Sequence, residues 1–216
     1  MIIRRTISKE EIREMPRATF SGRIYVVQSE AEAVKAVNYL KTQSLVGIDS
    51  ETRPSFRKGQ LHKVALLQVS SEECCFLFRL NMIGLPTCLV NLLEDADTVK
   101  VGLSLKDDFM MLRKRAAFSE RGVIELQQFV RLFGIEDMSL QKIYALLFKE
   151  KISKSQQLTN WETDVLSDGQ KLYAATDAWA CLNIYKLLKE LQRTGDFEIE
   201  QSIEDNKSGD DKQENN

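Results

Sequence analysis

The stretch Leu45-Val46-Gly47-Ile48-Asp49-Ser50-Glu51 constrains this chain more than any other. It reads as a buried apolar strand that ends in two carboxylates. Residues i and i+2 of a strand point to the same face, so Asp49 and Glu51 project together from one strand end. Two convergent carboxylates beside an apolar strand repel each other and lose hydration, at a cost that a cation between them removes. Hard oxygen ligands of this kind suit Mg²⁺ or Mn²⁺ rather than zinc. Taken alone, Asp-x-Glu also fits a solvated strand-to-loop turn, and the residues downstream decide between the two.

The 216 residues suit one α/β domain with appendages or two small domains, and a 43% hydrophobic, 29% charged composition is that of an ordinary globular protein. No apolar run approaches the roughly 20 residues of a membrane span, and Met1-Ile-Ile-Arg-Arg-Thr lacks the apolar core of a secretion signal. Cys74, Cys75, Cys88 and Cys181 lie in or beside apolar segments without C-x-x-C spacing, which predicts reduced core residues and a cytoplasmic protein with no membrane partner. A net charge of −2 is not the footprint of a protein that coats nucleic acid electrostatically. It does not exclude a nuclease, because bound divalent cations reverse the sign of an acidic site.

Along the chain, residues 1–22 read as an N-terminal extension with a short helix, Ser8 and Glu11 forming a capping box and Pro16 stopping it. Ile24-Tyr-Val-Val is a strand. Ser29 opens a helix with Glu32 at its third position and an apolar stripe of Ala33, Val34, Val37 and Leu40. After the carboxylate strand, Val64–Val69 and Cys75–Phe78 follow as strands without an intervening helix, which predicts antiparallel neighbours. From Leu85 onward helix and strand alternate, so the sheet is expected to be mixed. Ser167 and Gln170 box the start of a long helix running to about Leu191. The folded domain is expected to span 23–192, and 193–216 to be an acidic, disordered tail.

Two more features join the acidic strand end. Asp107 and Asp108 open a helix after the expected strand Thr98–Leu103, and Tyr173-Ala-Ala-Thr-Asp177 sets a phenol and a carboxylate at i and i+4 on one helix face. At about 100° per residue, Asp108 lies roughly 70° from the centre of the Leu105, Phe109, Leu112, Ala116 stripe and Asp107 roughly 170° away. Asp108 therefore turns inward and Asp107 faces solvent.

In that order these motifs resemble the DEDD superfamily of 3′–5′ exonucleases, in the subgroup with tyrosine in the third motif. Within it the likeness is to the exonuclease domain of the Werner syndrome helicase and, more distantly, to ribonuclease D. The residues carrying it are Gly47-Ile-Asp49-Ser-Glu51, Lys63-Val-Ala-Leu-Leu-Gln68, Val101-Gly102 with Asp108, Asn160-Trp161, and Gln170-Lys-Leu-Tyr173-Ala-Ala-Thr-Asp177-Ala. The resemblance implies a ribonuclease-H-like α/β fold, a mixed five-stranded sheet flanked by helices. It implies that Asp49, Glu51, Asp108 and Asp177 hold two Mg²⁺ or Mn²⁺ ions, and that Tyr173 orients the attacking water.

The expected substrates are single-stranded or frayed 3′ ends of DNA or RNA, released as nucleoside 5′-monophosphates, with DNA slightly favoured. An exoribonuclease and a catalytically inactive nucleic-acid-binding module are the alternatives. One departure stands out: many relatives carry Arg-Pro-Leu after Asn-Trp, where this chain has Asp164-Val165-Leu166. Arg53, Arg57 and Lys58 are candidates for lining the path of the strand, and equally fit a solvated loop. Trp161 is a candidate for stacking a terminal base, though packing of the final helix against the sheet is the favoured reading.

Overall fold

The computed structural model describes residues 1–55 and 61–200. In chain order its elements are β1 (Ile2–Ile3), α1 (Lys9–Glu14), β2 (Arg23–Val27), α2 (Glu30–Leu40), β3 (Leu45–Thr52), β4 (Val64–Ser70), β5 (Cys74–Phe78), α3 (Leu80–Ile83) and α4 (Thr87–Leu93). They continue as β6 (Val99–Gly102), α5 (Leu105–Leu112), β7 (Val123–Glu125), α6 (Leu126–Arg131), α7 (Leu140–Phe148), α8 (Asp168–Thr194) and β8 (Glu198–Ile199).

The central sheet runs β2-β5-β4-β3-β6-β7. As the absence of helices between them predicts, β3, β4 and β5 are antiparallel neighbours. The α/β rhythm that follows makes β6 and β7 parallel to β3 and to each other. The sheet is mixed, but among the described residues it has six strands rather than five. Val123–Glu125, too short to be counted from its sequence pattern, closes the edge by pairing with Lys100–Gly102.

Alternation along the strands divides the core. Val46 and Ile48 of β3, with Leu67 and Val69 of β4, face α2, α4 and α5, where Leu40, Leu89, Leu92, Phe109 and Leu112 are buried. On α2 the buried stripe is Ala33, Ala36, Val37 and Leu40. Val34 turns outward, 42% exposed, because a 3.6-residue period places Ala36 and not Val34 over the sheet. The opposite sheet face is covered by α8. Its Ala174 and Ala175 pack on Leu66 and Leu77, and the capping box of Ser167 and Gln170 starts it as the sequence predicts.

The two ends of the chain differ from the expectation of an extension and a disordered tail. Ile3, Ile7 and Ile12 are buried in the same cluster as α7 and the C-terminal half of α8. α8 runs on to Thr194 and Gly195 ends it in the left-handed region at φ 73°. Phe197 then packs against Phe133 at 5.2 Å, and β8 pairs in parallel with β1. The acid-rich composition hides an apolar anchor, Phe197, which with the β1–β8 pairing docks this segment on the domain. The rest of the predicted tail, 201–216, lies outside the described residues. Among the described residues, no helix is long and apolar enough to cross a membrane.

Candidate active site

The acidic end of β3 sits where the sheet opens. β6 pairs with β3 only over Leu45–Gly47, so from Ile48 onward that edge of β3 is free and α5 begins beside it. Asp49 and Glu51 point to the α8 face. α8 comes very near because Gly47 has no side chain: a Cβ there would stand 1.8 Å from the Ala178 carbonyl oxygen. A larger residue would push the helix off the strand and carry Asp177 with it. As built, one carboxylate oxygen from each of Asp49, Glu51 and Asp177 lies within 4.8 Å of the others.

Asp108 approaches from the other side of β3. On α5, Leu105, Phe109 and Leu112 are buried, Asp107 is exposed and Asp108 is half-buried, the orientation the helical wheel predicts. Ser50, which points away from its neighbours Asp49 and Glu51, donates a 2.7 Å hydrogen bond to Asp108 Oδ1. The start of α5 is fixed in turn by Glu125, whose carboxylate accepts from the backbone N–H groups of Ser104 (2.9 Å) and Leu105 (2.7 Å). Ser104 itself sits in the left-handed region at φ 62° and makes no side-chain cap. Sequence reasoning missed Glu125, because its role depends on the sixth strand bringing it to the helix end.

These carboxylates are raised together. Burial, then the charges of Asp108, Glu51 and Asp177, holds Asp49 well above the usual carboxylate range. Burial, then Asp177 and Asp108, pushes Glu51 up to about 9. Burial raises Asp108 to about 6 against the opposing Ser50 hydrogen bond. Burial raises Asp177 to about 7 against a hydrogen bond from Tyr173 and the nearby charge of Lys154. Without a cation, four acids this close cannot all be charged near neutral pH. An all-oxygen, all-carboxylate donor set with this repulsion fits a hard divalent ion.

Tyr173, one turn before Asp177 on α8, hydrogen-bonds that carboxylate; its own hydroxyl is pushed up by burial and by Asp177, so the phenol stays neutral. Its ring rests 6.0 Å from that of Trp161. Trp161 does not stack a base. It is fully buried among Phe20, Leu66, Leu77, Ala174 and Ala175, so no ligand reaches its face. The segment that carries it is held from two sides. Gln170 Nε2 donates to Thr159 Oγ1 and the Asn160 carbonyl, and the buried Arg79 guanidinium donates to the carbonyls of Thr163 and Asp164.

Of the basic residues expected along the strand's path, Arg53 is exposed and paired with Glu162 at 3.3 Å, so a substrate phosphate would have to displace Glu162. Arg57 and Lys58 lie outside the described residues. Lys154 was not singled out in the sequence. It lines the same cleft of about 280 Å³ as Asp49, Glu51, Tyr173 and Asp177, together with Ser153 and Gln157.

Residues 24–192 match the family described as 3′-5′ exonuclease. The chain belongs to that family. A 3′-5′ exonuclease from Arabidopsis thaliana is 33% identical over 201 residues, covering 86% of this chain and 70% of the plant protein. The bifunctional 3′-5′ exonuclease/ATP-dependent helicase WRN of Mus musculus is 31% identical over 72% of this chain, but the match spans only 12% of that protein. In structure, the EXO domain of Aedes aegypti Nibbler superposes with a TM-score of 0.75 at 21% identity, over 84% of this chain and 95% of that domain. This exonuclease is therefore a metal-dependent hydrolase of nucleic acids with the ribonuclease-H-like α/β fold.

Proposed function

We propose that the chain removes nucleotides one at a time from single-stranded or frayed 3′ ends, with Asp49, Glu51, Asp108 and Asp177 as ligands of two Mg²⁺ or Mn²⁺ ions. The observation that carries this reading is the convergence of three carboxylate oxygens within 4.8 Å, with Asp108 held beside them by Ser50. Two bound cations would supply the activation of water on one side of the phosphodiester and the stabilisation of the leaving 3′ oxygen on the other. Water adds to phosphorus, the bond to the 3′ oxygen breaks, and the products are a nucleoside 5′-monophosphate and a strand one residue shorter ending in a 3′ hydroxyl.

The chain's own residues bind and orient. Tyr173, neutral and anchored by Trp161, offers its hydroxyl to the attacking water while bridging to Asp177. Asp49, half-buried at the end of β3, and Asp177, buried on α8, face each other in a setting of reduced solvent, which would strengthen their hold on a cation. With its four cysteines free, the protein suits a reducing compartment such as the cytoplasm.

Tyr173→Phe is expected to lower kcat by about 10²-fold, the cost of one positioning hydrogen bond, with little change in thermal stability because the ring still packs. Single-turnover hydrolysis beside a melting curve measures both; an unchanged chemical rate would remove Tyr173 from the mechanism. DNA is taken as slightly favoured over RNA, and matched deoxy- and ribo-oligonucleotides of one sequence, assayed with Mn²⁺ and again with EDTA, test substrate and mechanism together. Shortening of either strand from its 3′ end with Mn²⁺ alone supports the proposal. Cleavage that persists in EDTA, or no cleavage of either strand, contradicts it.

A further inference from the structure

The acidic cleft opens into a second concavity whose chemistry is its opposite. A groove of about 730 Å³ runs between α1 and α7, lined by Lys9, Arg13, Arg17, Lys142, Lys151 and Lys154, with Asp137 the acid among its lining residues. Two of the six cations are engaged: Lys142 pairs with Asp137 at 2.6 Å, and Lys151 donates to the Arg13 carbonyl. Lys9, Arg13, Arg17 and Lys154 are exposed. In a chain of net charge −2, such a concentration of cations on one side marks where a polyanion is drawn in.

The groove is continuous with the site. Ser139, Gln141, Ile152, Ser153 and Lys154 line both it and the catalytic cleft. Arg17 also borders a small adjoining hollow that reaches Tyr173. Its walls are fixed. The Ser8–Glu11 capping box and the buried Ile12 seat α1, Arg4 pairs with Glu11 at 2.6 Å, and the 16–18 segment bridges to Lys151 through backbone hydrogen bonds of 2.8 and 2.9 Å.

We propose that this α1–α7 groove carries the sugar–phosphate backbone of the single strand upstream of the 3′ nucleotide, with Lys9, Arg13, Arg17 and Lys154 neutralising successive phosphates. This inference rests on the exonuclease reading above and extends it: the N-terminal segment is part of the substrate path. A cationic groove without an exposed aromatic row reads phosphates rather than bases, so binding through it is independent of sequence and steep in salt.

The test uses the full chain, in EDTA so that the strand stays intact, and a 5′-fluorescein oligonucleotide followed by anisotropy across a salt series. In the triple variant Lys9→Gln, Arg13→Gln, Arg17→Gln the slope of log K against log salt is expected to flatten by about 2, at ~0.7 per phosphate contact. The charge-conserving variant Lys9→Arg, Arg13→Lys, Arg17→Lys is expected to keep it. With Mn²⁺ present, the ratio of kcat/KM for the long strand to that for a dinucleotide should fall about tenfold or more in the glutamine variant. A wild-type slope and ratio in the glutamine variant overturns the proposal. Photocrosslinking of wild-type protein to a strand with a reactive group upstream of its 3′ end gives a readout free of mutation: adducts on α1 or 151–154 support the groove, and adducts confined elsewhere overturn it. Salt-dependent binding through the groove without any hydrolysis would leave the groove standing and remove the exonuclease mechanism; hydrolysis with an unaltered slope would do the reverse.

Discussion

Asp49→Asn is expected to lower hydrolysis by at least about 10³-fold, beyond the loss of a single transition-state hydrogen bond. The side chain keeps its shape, so the fold stays intact; the charge that would draw a cation between β3 and α8 is gone. The same variant should gain thermal stability when metal is absent. Carboxylates raised in the folded protein contribute stability that is complete below their unfolded values near ~4 and is lost as pH rises through their folded values. Those folded values are about 6 for Asp108, about 7 for Asp177 and about 9 for Glu51. The metal-free wild type is therefore expected to lose melting temperature between pH 5 and pH 9, values that bracket the three groups. Asp49→Asn, with one charge fewer in the cluster, should lose less. Near-normal turnover in this variant, or a wild-type pH dependence of melting, would show that Asp49 is only the end of a strand.

The second large effect separates two adjacent residues. Asp108→Asn is expected to abolish metal-dependent hydrolysis, whereas Asp107→Asn keeps most of it. Asp108 is half-buried and tied to Ser50 at 2.7 Å, near enough for its charge to raise Asp49. Asp107 is exposed in the first turn of α5, where an acid interacts favourably with the helix dipole and little else. Removing that favourable contact costs about 0.3–1 kcal/mol of stability and does not touch the site. Steady-state rates of the two variants, measured at saturating Mn²⁺, decide the matter. Loss of activity in Asp107→Asn with retention in Asp108→Asn would invert the assignment.

What could be read in the sequence follows from how local each signal is. Asp49 and Glu51 share a face by strand period, Asp108 turns inward by helix period, and Tyr173 and Asp177 lie one turn apart. Each needs only its own element, and the structure brings those elements to one place. The capping boxes at Ser8, Ser29 and Ser167 are local in the same sense, and all three form. The misreadings involve partners distant in sequence. An aromatic side chain beside the motifs suggests a stacking platform as well as packing, and burial of Trp161 among residues of β4, β5 and α8 leaves only the packing. Val123–Glu125 becomes a strand only because β6 offers an edge, and Glu125 then clamps α5, a role three residues could not announce. The docking of Phe197 and Ile199 depends on β1 and Phe133, at the far end and middle of the chain. The basic groove likewise joins α1 to the 151–154 segment across most of the sequence, so no local run of charge reveals it.

Calorimetric titration of the metal-free protein with Mn²⁺, repeated in buffers of different ionisation enthalpy, counts the cations these four carboxylates hold and the protons they give up. Carboxylates raised by burial and mutual repulsion must give up protons before they ligate. Two Mn²⁺ ions per chain are expected to bind, with proton release between about pH 6 and pH 9 that diminishes as the groups ionise at higher pH. Asp108→Asn and Asp177→Asn should each weaken or remove one of the two sites. Absence of saturable Mn²⁺ binding, or binding that releases no protons near neutral pH, would contradict a site built from these four carboxylates.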